Sequence, residues 1–308
     1  RFSHYDYWTD RVHRSILIDS QADLLVYGMG EKPMRAIAQA CRNGKTMADC
    51  HHIPQTGYTT DTLPHLEQQI MLHSHDAVAK NKRLSAETFR TIEEESNKLN
   101  QTHLVQPVGD KFVVINPPFA PMTGDELDAV YDLPFTRMPH PKYKGKTIPA
   151  FDMIKFSVNT HRGCWGGCAF CTISMHQGKF IVSRSQKSII QEVRKIAKMP
   201  DFKGYLSDLG GPSANMYMMR GRNADLCAKC RRPSCAFPSV CKNMNTDHAP
   251  LLTLYQAVDA LPCIKKSFIG SGVRYDLLLH RTDDEATNRH NRDYAHELIS
   301  RHVSGRLK

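Results

Sequence analysis

No stretch of this chain approaches the roughly 20 consecutive apolar residues needed to cross a bilayer. The opening RFSHYDYW also lacks the charged-then-apolar layout of a secretory leader. No internal repeat, low-complexity tract or recognisable nucleic-acid module is evident. What is present is 308 residues with 41% hydrophobic content and a mean hydropathy of −0.46, enough for a sizeable core. The expectation is a soluble globular protein, with no membrane partner and a cytoplasmic address. Lys and Arg outnumber Asp and Glu by 41 to 31, a formal charge of +10 that permits an anionic partner such as RNA. No basic stripe interleaved with aromatics accompanies that charge. Ten cysteines are bunched and unevenly spaced, which in a cytosolic protein favours metal or redox work over disulfides. The chain opens on Arg1 rather than Met, and it stops at Lys308 just after what reads as the start of a strand. It therefore reads as an internal fragment of a longer protein.

Residues 1–42 read as α/β, the last part of an amino-terminal domain. Ser15 to Asp19 and Ala22 to Tyr27 read as strands, the second running through Gly28-Met-Gly-Glu31 into a helix from Lys32 to Arg42. Residues 43–150 read as a polar insertion followed by a proline-rich linker. Within them one amphipathic helix is expected from Ser85 to Leu99, packing on a core made elsewhere. Phrases such as Asn116-Pro-Pro, Met138-Pro-His-Pro141 and Ile148-Pro149 exclude long helices and central strands from the linker. From Phe151 to Lys308 a rhythm of strand, loop and helix recurs three times. Strands are expected at Lys155–Thr160, Gly204–Asp208 and Lys266–Ile269, and helices at 185–198, 251–261 and 285–302. That order predicts a parallel sheet or barrel, with a cysteine-rich insertion at about 220–248.

Cys164-Trp-Gly-Gly-Cys168-Ala-Phe-Cys171 has the spacing C-x3-C-x2-C in a loop directly after a strand. Three thiolates satisfy three irons of a [4Fe–4S] cube and leave the fourth open to a substrate-like ligand. Gly163, Gly166 and Gly167 let the backbone wrap an anionic cluster, and Phe170 is expected to shield it from water. The plainer readings are a structural zinc site completed by His161 or His176, or three reduced cysteines with no metal. Three cysteines in eight residues amid glycines are not a packing pattern.

The motif CWGGCAFC after KFSVNTHRG resembles the signature of radical S-adenosylmethionine (radical SAM) enzymes. In that family the open iron chelates the amino and carboxylate groups of S-adenosylmethionine. One electron then splits the sulfonium, and the released 5′-deoxyadenosyl radical abstracts hydrogen from substrate. The resemblance implies that Cys164, Cys168 and Cys171 are the cluster ligands, and that Phe170 takes the aromatic position whose backbone lies beside the adenine. Family members carry a Gly-Gly-Glu-like turn after the second strand whose backbone receives the methionine amino group. Here Ser207-Asp-Leu-Gly-Gly-Pro212 supplies Gly210 and Gly211 and lacks the Glu. After the third strand, Ile269-Gly-Ser-Gly-Val-Arg274 offers Ser271 or Arg274 to ribose hydroxyls or the carboxylate.

Beyond these motifs, the phrases HYDYWTDRVHRSILIDSQADLLVYGMGEKP, INPPFAPMTGDELDAVYDLPFTRMPHP, SDLGGPSANMYMMR and IGSGVRYD resemble the YgiQ family of radical SAM proteins. The implied fold is an incomplete radical-SAM-type (β/α) barrel preceded by the end of an α/β, Rossmann-like domain. The implied partner is a reductant such as flavodoxin or ferredoxin. The expected activity is therefore a radical SAM reaction, with two alternatives: modification of RNA or a protein, or a zinc-stabilised binding module without chemistry. Cobalamin is not expected, because Asp49-Cys-His51 lacks the glycine of the usual ligand motif.

A second group, Cys227, Cys230, Cys235 and Cys241, sits in the insertion beside Lys229, Arg231 and Arg232. Four thiols so close in sequence suit zinc or an auxiliary iron–sulfur cluster, with His248 as a spare ligand. Cys41, Cys50 and Cys263 are given no role.

Overall fold

Adjacent valines that are both buried mark a strand covered on two faces, because successive side chains point to opposite sides. Val113 and Val114 are such a pair, packing into separate apolar clusters. In the computed structural model, which describes residues 2–307, they lie in the middle of a five-stranded sheet. Its spatial order is Leu25–Val26, Thr56–Thr60, Lys111–Ile115, His103–Val108, Gln69–Met71. Only Gln69–Met71 runs parallel to its neighbour. The expected polar insertion is thus corrected: residues 56–115 build the sheet of their own unit rather than leaning on another core. The helix within it spans Lys82–Ser96, begun by the Asn81 side chain accepting from the amides of Arg83 and Leu84.

A second correction falls on Ser15 to Asp19. These residues form the helix Ile16–Ser20, because the Ser15 hydroxyl accepts from the Leu17 amide and caps the first turn. The helix expected from Lys32 is present as Glu31–Arg42.

Contacts divide the chain into two compact units. One comprises residues up to Ala120 with Met175–Gln177 and Asn223–Pro233, and the other Pro121–Ser174, Gly178–Arg222 and the residues from Ser234 onward. The second unit is organised by short parallel strands. Ser157–Asn159 pairs in parallel with Asp208–Gly210, setting Asn159 opposite Gly210. Tyr205–Leu206 pairs in parallel with Lys266–Ser267, and the Leu209 amide donates to the Phe268 carbonyl at 2.9 Å. Ile269 makes a parallel bridge to Leu307, where a fourth strand was expected. The helices Gln186–Ile196, Ala249–Asp259 and Glu285–Val303 separate these strands in sequence.

Ile189, Val193 and Ile196 from the first of those helices join Leu206, Leu209, Leu254, Val258 and Ile269 in the main core. Among the described residues no sheet closes on itself. The proline-rich segment contributes one eight-residue helix, Gly124–Tyr131, opened by a reciprocal cap between Thr123 and Glu126. The segment is tied down by buried charge: Glu192 pairs with both Arg137 and Arg184, and the Arg184 guanidinium lies 4.0 Å from the centre of the Tyr131 ring. Among the described residues no helix is long and apolar enough to cross a membrane.

Candidate metal and cofactor site

Three loops leave the carboxyl ends of neighbouring parallel strands, and they carry the residues singled out from sequence. The first runs from His161 through the three cysteines. Its entry requires glycine at position 163: φ is +88°, and a Cβ there would come within 2.4 Å of the Phe180 carbonyl oxygen. Trp165 then turns inward and is fully buried among Met216, Met219, Ala236, Met244 and Leu277.

From the insertion, the Ser234 hydroxyl donates to the Gly166 carbonyl at 2.7 Å and the Cys235 amide donates to the Trp165 carbonyl at 2.9 Å. The loop is therefore anchored by its tryptophan and backed by a segment far away in sequence. Burial pushes the Cys164 thiol up, the sulfurs of Cys168 and Cys171 push it the same way, and the Gly166 amide and Arg274 oppose them. Phe170 is 91% exposed, so its ring projects outward and the expected shielding of the cysteines is corrected.

The second loop is the Gly210-Gly211 turn. The Thr160 amide donates to the Gly210 carbonyl at 2.7 Å, which locks this turn to the start of the cysteine loop. A Cβ on Gly211 would stand 2.6 Å from Cε1 of His161, so the turn lies flat against that buried ring. Burial holds the imidazole neutral, with its pKa pushed down to about 4. The third loop carries Ser271 and Arg274. The Ser271 hydroxyl donates to Asp208 Oδ2 at 2.5 Å, and the Gly270 amide donates to Asp208 Oδ1 at 2.8 Å. Asp208 thus joins the second and third loops. Arg274 reaches the first, with Nη1 3.6 Å from Cys168 Sγ.

The structure brings Cys164, Cys168, Gly166 and Arg274 together, and Gly210 beside Ser271. Among the described residues no three His, Cys, Asp or Glu side chains are gathered as one metal-ligand set. The donor chemistry of the first loop nevertheless fits a thiolate-bound iron–sulfur cluster. It offers three soft ligands, a backbone path open to glycine alone at position 163, and a cation at one sulfur.

The second cysteine group receives no such support. Cys227 and Cys230 belong to the first compact unit, while Cys235 and Cys241 belong to the second and pack at the edge of the Trp165 cluster. His248, named as its spare ligand, is fully buried, with Nδ1 2.6 Å from Asn291 Oδ1 and Nε2 3.2 Å from Asn215 Nδ2. His176, considered as a partner for the first group, lies in the first unit. Sequence reasoning passed over Asp208, Ser234 and Asn215. Only Asp208 carried a signal, as a carboxylate at a strand end directly before the glycine turn.

An α/β chain with a three-cysteine loop at the end of a parallel strand points to one class, and the comparisons agree. Residues 1–157 match the family described as "Radical SAM N-terminal", and the chain belongs to that family. It is 59% identical to a protein named UPF0313 from Bacteroides thetaiotaomicron, over all of this chain and 52% of that protein. UPF0313 proteins of Porphyromonas gingivalis and Methanocella arvoryzae are 52% and 45% identical, again over all of this chain and 49% and 50% of theirs. The family resemblance drawn from the sequence phrases is thereby upheld. The chain spans about half the length of these curated relatives.

Proposed function

We propose that this chain carries the cluster-binding part of a radical SAM enzyme, on the first strands of an incomplete (β/α) barrel. The observation that supports it best is positional. The C-x3-C-x2-C loop, the glycine turn and the Ser271–Arg274 loop all leave the same ends of adjacent parallel strands, where α/β barrels place their chemistry. Cys164, Cys168 and Cys171 would hold a [4Fe–4S] cluster, and the Gly210-Gly211 turn would offer its backbone to the methionine end of S-adenosylmethionine. When bound, the pair supplies reductive cleavage of the sulfonium to a carbon radical, with the electron coming from a donor such as flavodoxin or ferredoxin.

The protein's own part is to hold and exclude. Thr160 and His161 fix the glycine turn, Asp208 joins two of the loops, and Trp165 with Met216 and Met219 keeps one side of the cysteine loop dry. Ser271 is committed to Asp208 through both its hydroxyl, at 2.5 Å, and its amide, at 3.3 Å, so its part is to hold the third loop against the second. Dithionite reduction of the anaerobically reconstituted protein with S-adenosylmethionine should yield 5′-deoxyadenosine, and Cys164→Ala, Cys168→Ala and Cys171→Ala should each abolish it. Formation of that product by any of the three variants would remove the assignment.

A further inference from the structure

Arg274 is held from several sides and left open at one. Its amide donates to Asn215 Oδ1 at 2.8 Å, and its carbonyl accepts from Asn215 Nδ2 at 2.9 Å, a closed pair of bonds that fixes the backbone. Asn215 is fully buried against His248, which is in turn stacked on Tyr294 with ring centres 4.5 Å apart. His248 is itself held neutral, its pKa pushed down to about 4 by burial, so this anchor adds no charge of its own. The Nε and Nη2 edge of the guanidinium is taken by the carboxylate of Asp276. The remaining nitrogen, Nη1, is delivered to the cysteine loop. It lies 3.6 Å from Cys168 Sγ and close over Gly166, where a Cβ would come within 2.7 Å of it. Two bonds that fix the backbone and two that hold the guanidinium to Asp276, with the last nitrogen delivered to a sulfur, are more than surface solvation requires.

An iron–sulfur cluster on three thiolates is anionic, and it gains a further negative charge when it takes up an electron. A fixed cation hydrogen-bonded to one of its sulfurs stabilises the reduced form more than the oxidised one, and net charge and hydrogen bonds to sulfur are what set such potentials. We propose, resting on the reading that the three cysteines hold a [4Fe–4S] cluster, that Arg274 sets the reduction potential of that cluster and so how readily it accepts its electron. This replaces the expectation that Arg274 meets the ribose or carboxylate of S-adenosylmethionine.

The test is a potential titration of the anaerobically reconstituted protein, followed by the electron paramagnetic resonance signal of the reduced cluster. It is run without S-adenosylmethionine and with iron content measured for every sample. Arg274→Gln should shift the reduced-to-oxidised ratio at fixed potential by at least tenfold toward oxidised, equivalent to a midpoint lower by about 59 mV for one electron. Arg274→Lys, which keeps the charge, should restore most of the shift. Asp276→Asn, which removes the opposing carboxylate, should move the midpoint the other way.

An unchanged midpoint in Arg274→Gln at wild-type iron content overturns the proposal while leaving the cluster assignment standing. Weakened S-adenosylmethionine binding alongside that unchanged midpoint would return Arg274 to the nucleoside. If Arg274→Gln fails to retain iron, Asp276→Asn decides, and an unmoved midpoint there overturns the proposal. Absence of iron from the wild-type protein overturns the cluster reading itself, and the proposal with it.

Discussion

His161 and His248 show how single residues near the site constrain the whole. Both rings are buried, and burial pushes each pKa from 6.5 down to about 4. Between those values the unfolded chain binds protons that the folded chain refuses. Their contribution is therefore complete above about pH 6.5 and is lost as pH falls toward 4, at up to about 1.4 kcal/mol per pH unit for each ring. Urea unfolding should show a lower midpoint at pH 5 than at pH 7.5, with much of the loss absent from a His161→Gln, His248→Gln double variant. Identical midpoints at the two pH values in the parent protein would contradict the buried neutral state. Neither ring was readable as buried from sequence. His248 stood among cysteines and looked like a ligand, because nothing local indicated that Asn291 and Tyr294 would enclose it.

At the scale of elements, legibility followed length and capping. The helices Gln186–Ile196 and Glu285–Val303 could be placed because Ser185 and Asp284 cap them, and because apolar residues recur at helical spacing in the first. The five-stranded sheet was missed for physical reasons. Its strands are two to six residues long, Thr56–Thr60 is polar in composition, and His103–Val108 contains Pro107. Pro107 stands opposite Phe112 in the antiparallel ladder, and on the other side of the strand Gln69–Met71 pairs only with residues 103–105, so no bond on that side needs the missing amide hydrogen.

The proline-rich segment also concealed its anchor. Glu192 pairs with both Arg137 and Arg184, joining residues widely separated in sequence, and no local pattern announces such a node. Glu192→Ala would take the carboxylate away from the buried Arg184 and the half-buried Arg137. It should cost roughly 3–5 kcal/mol by denaturant unfolding, the range for breaking a buried ion pair, with Glu192→Gln costing less. A loss within about 0.5 kcal/mol, as for an exposed side chain, would show that the node does not hold the segment.

For the whole molecule, what the sequence phrases implied about family stands on the match of residues 1–157 and on full coverage of this chain by UPF0313 relatives. The candidate site was legible to the extent that its chemistry is local. Eight residues carry three thiols and two of the glycines around them. What was not legible is everything that reaches the loop from elsewhere, namely Ser234 and Cys235 behind it and Arg274 across it. The same distinction separates the two cysteine groups, since Cys227 and Cys230 share neither a loop nor a compact unit with the first.

The central claim is that the first group alone is the cluster site, and it is tested most directly by counting iron and sulfide after anaerobic reconstitution. The parent protein and Cys227→Ala should each hold about four irons and four sulfides per chain, as a single cubane requires, while Cys168→Ala should hold almost none. Retention of iron by Cys168→Ala, or an equal loss in Cys227→Ala, would contradict it.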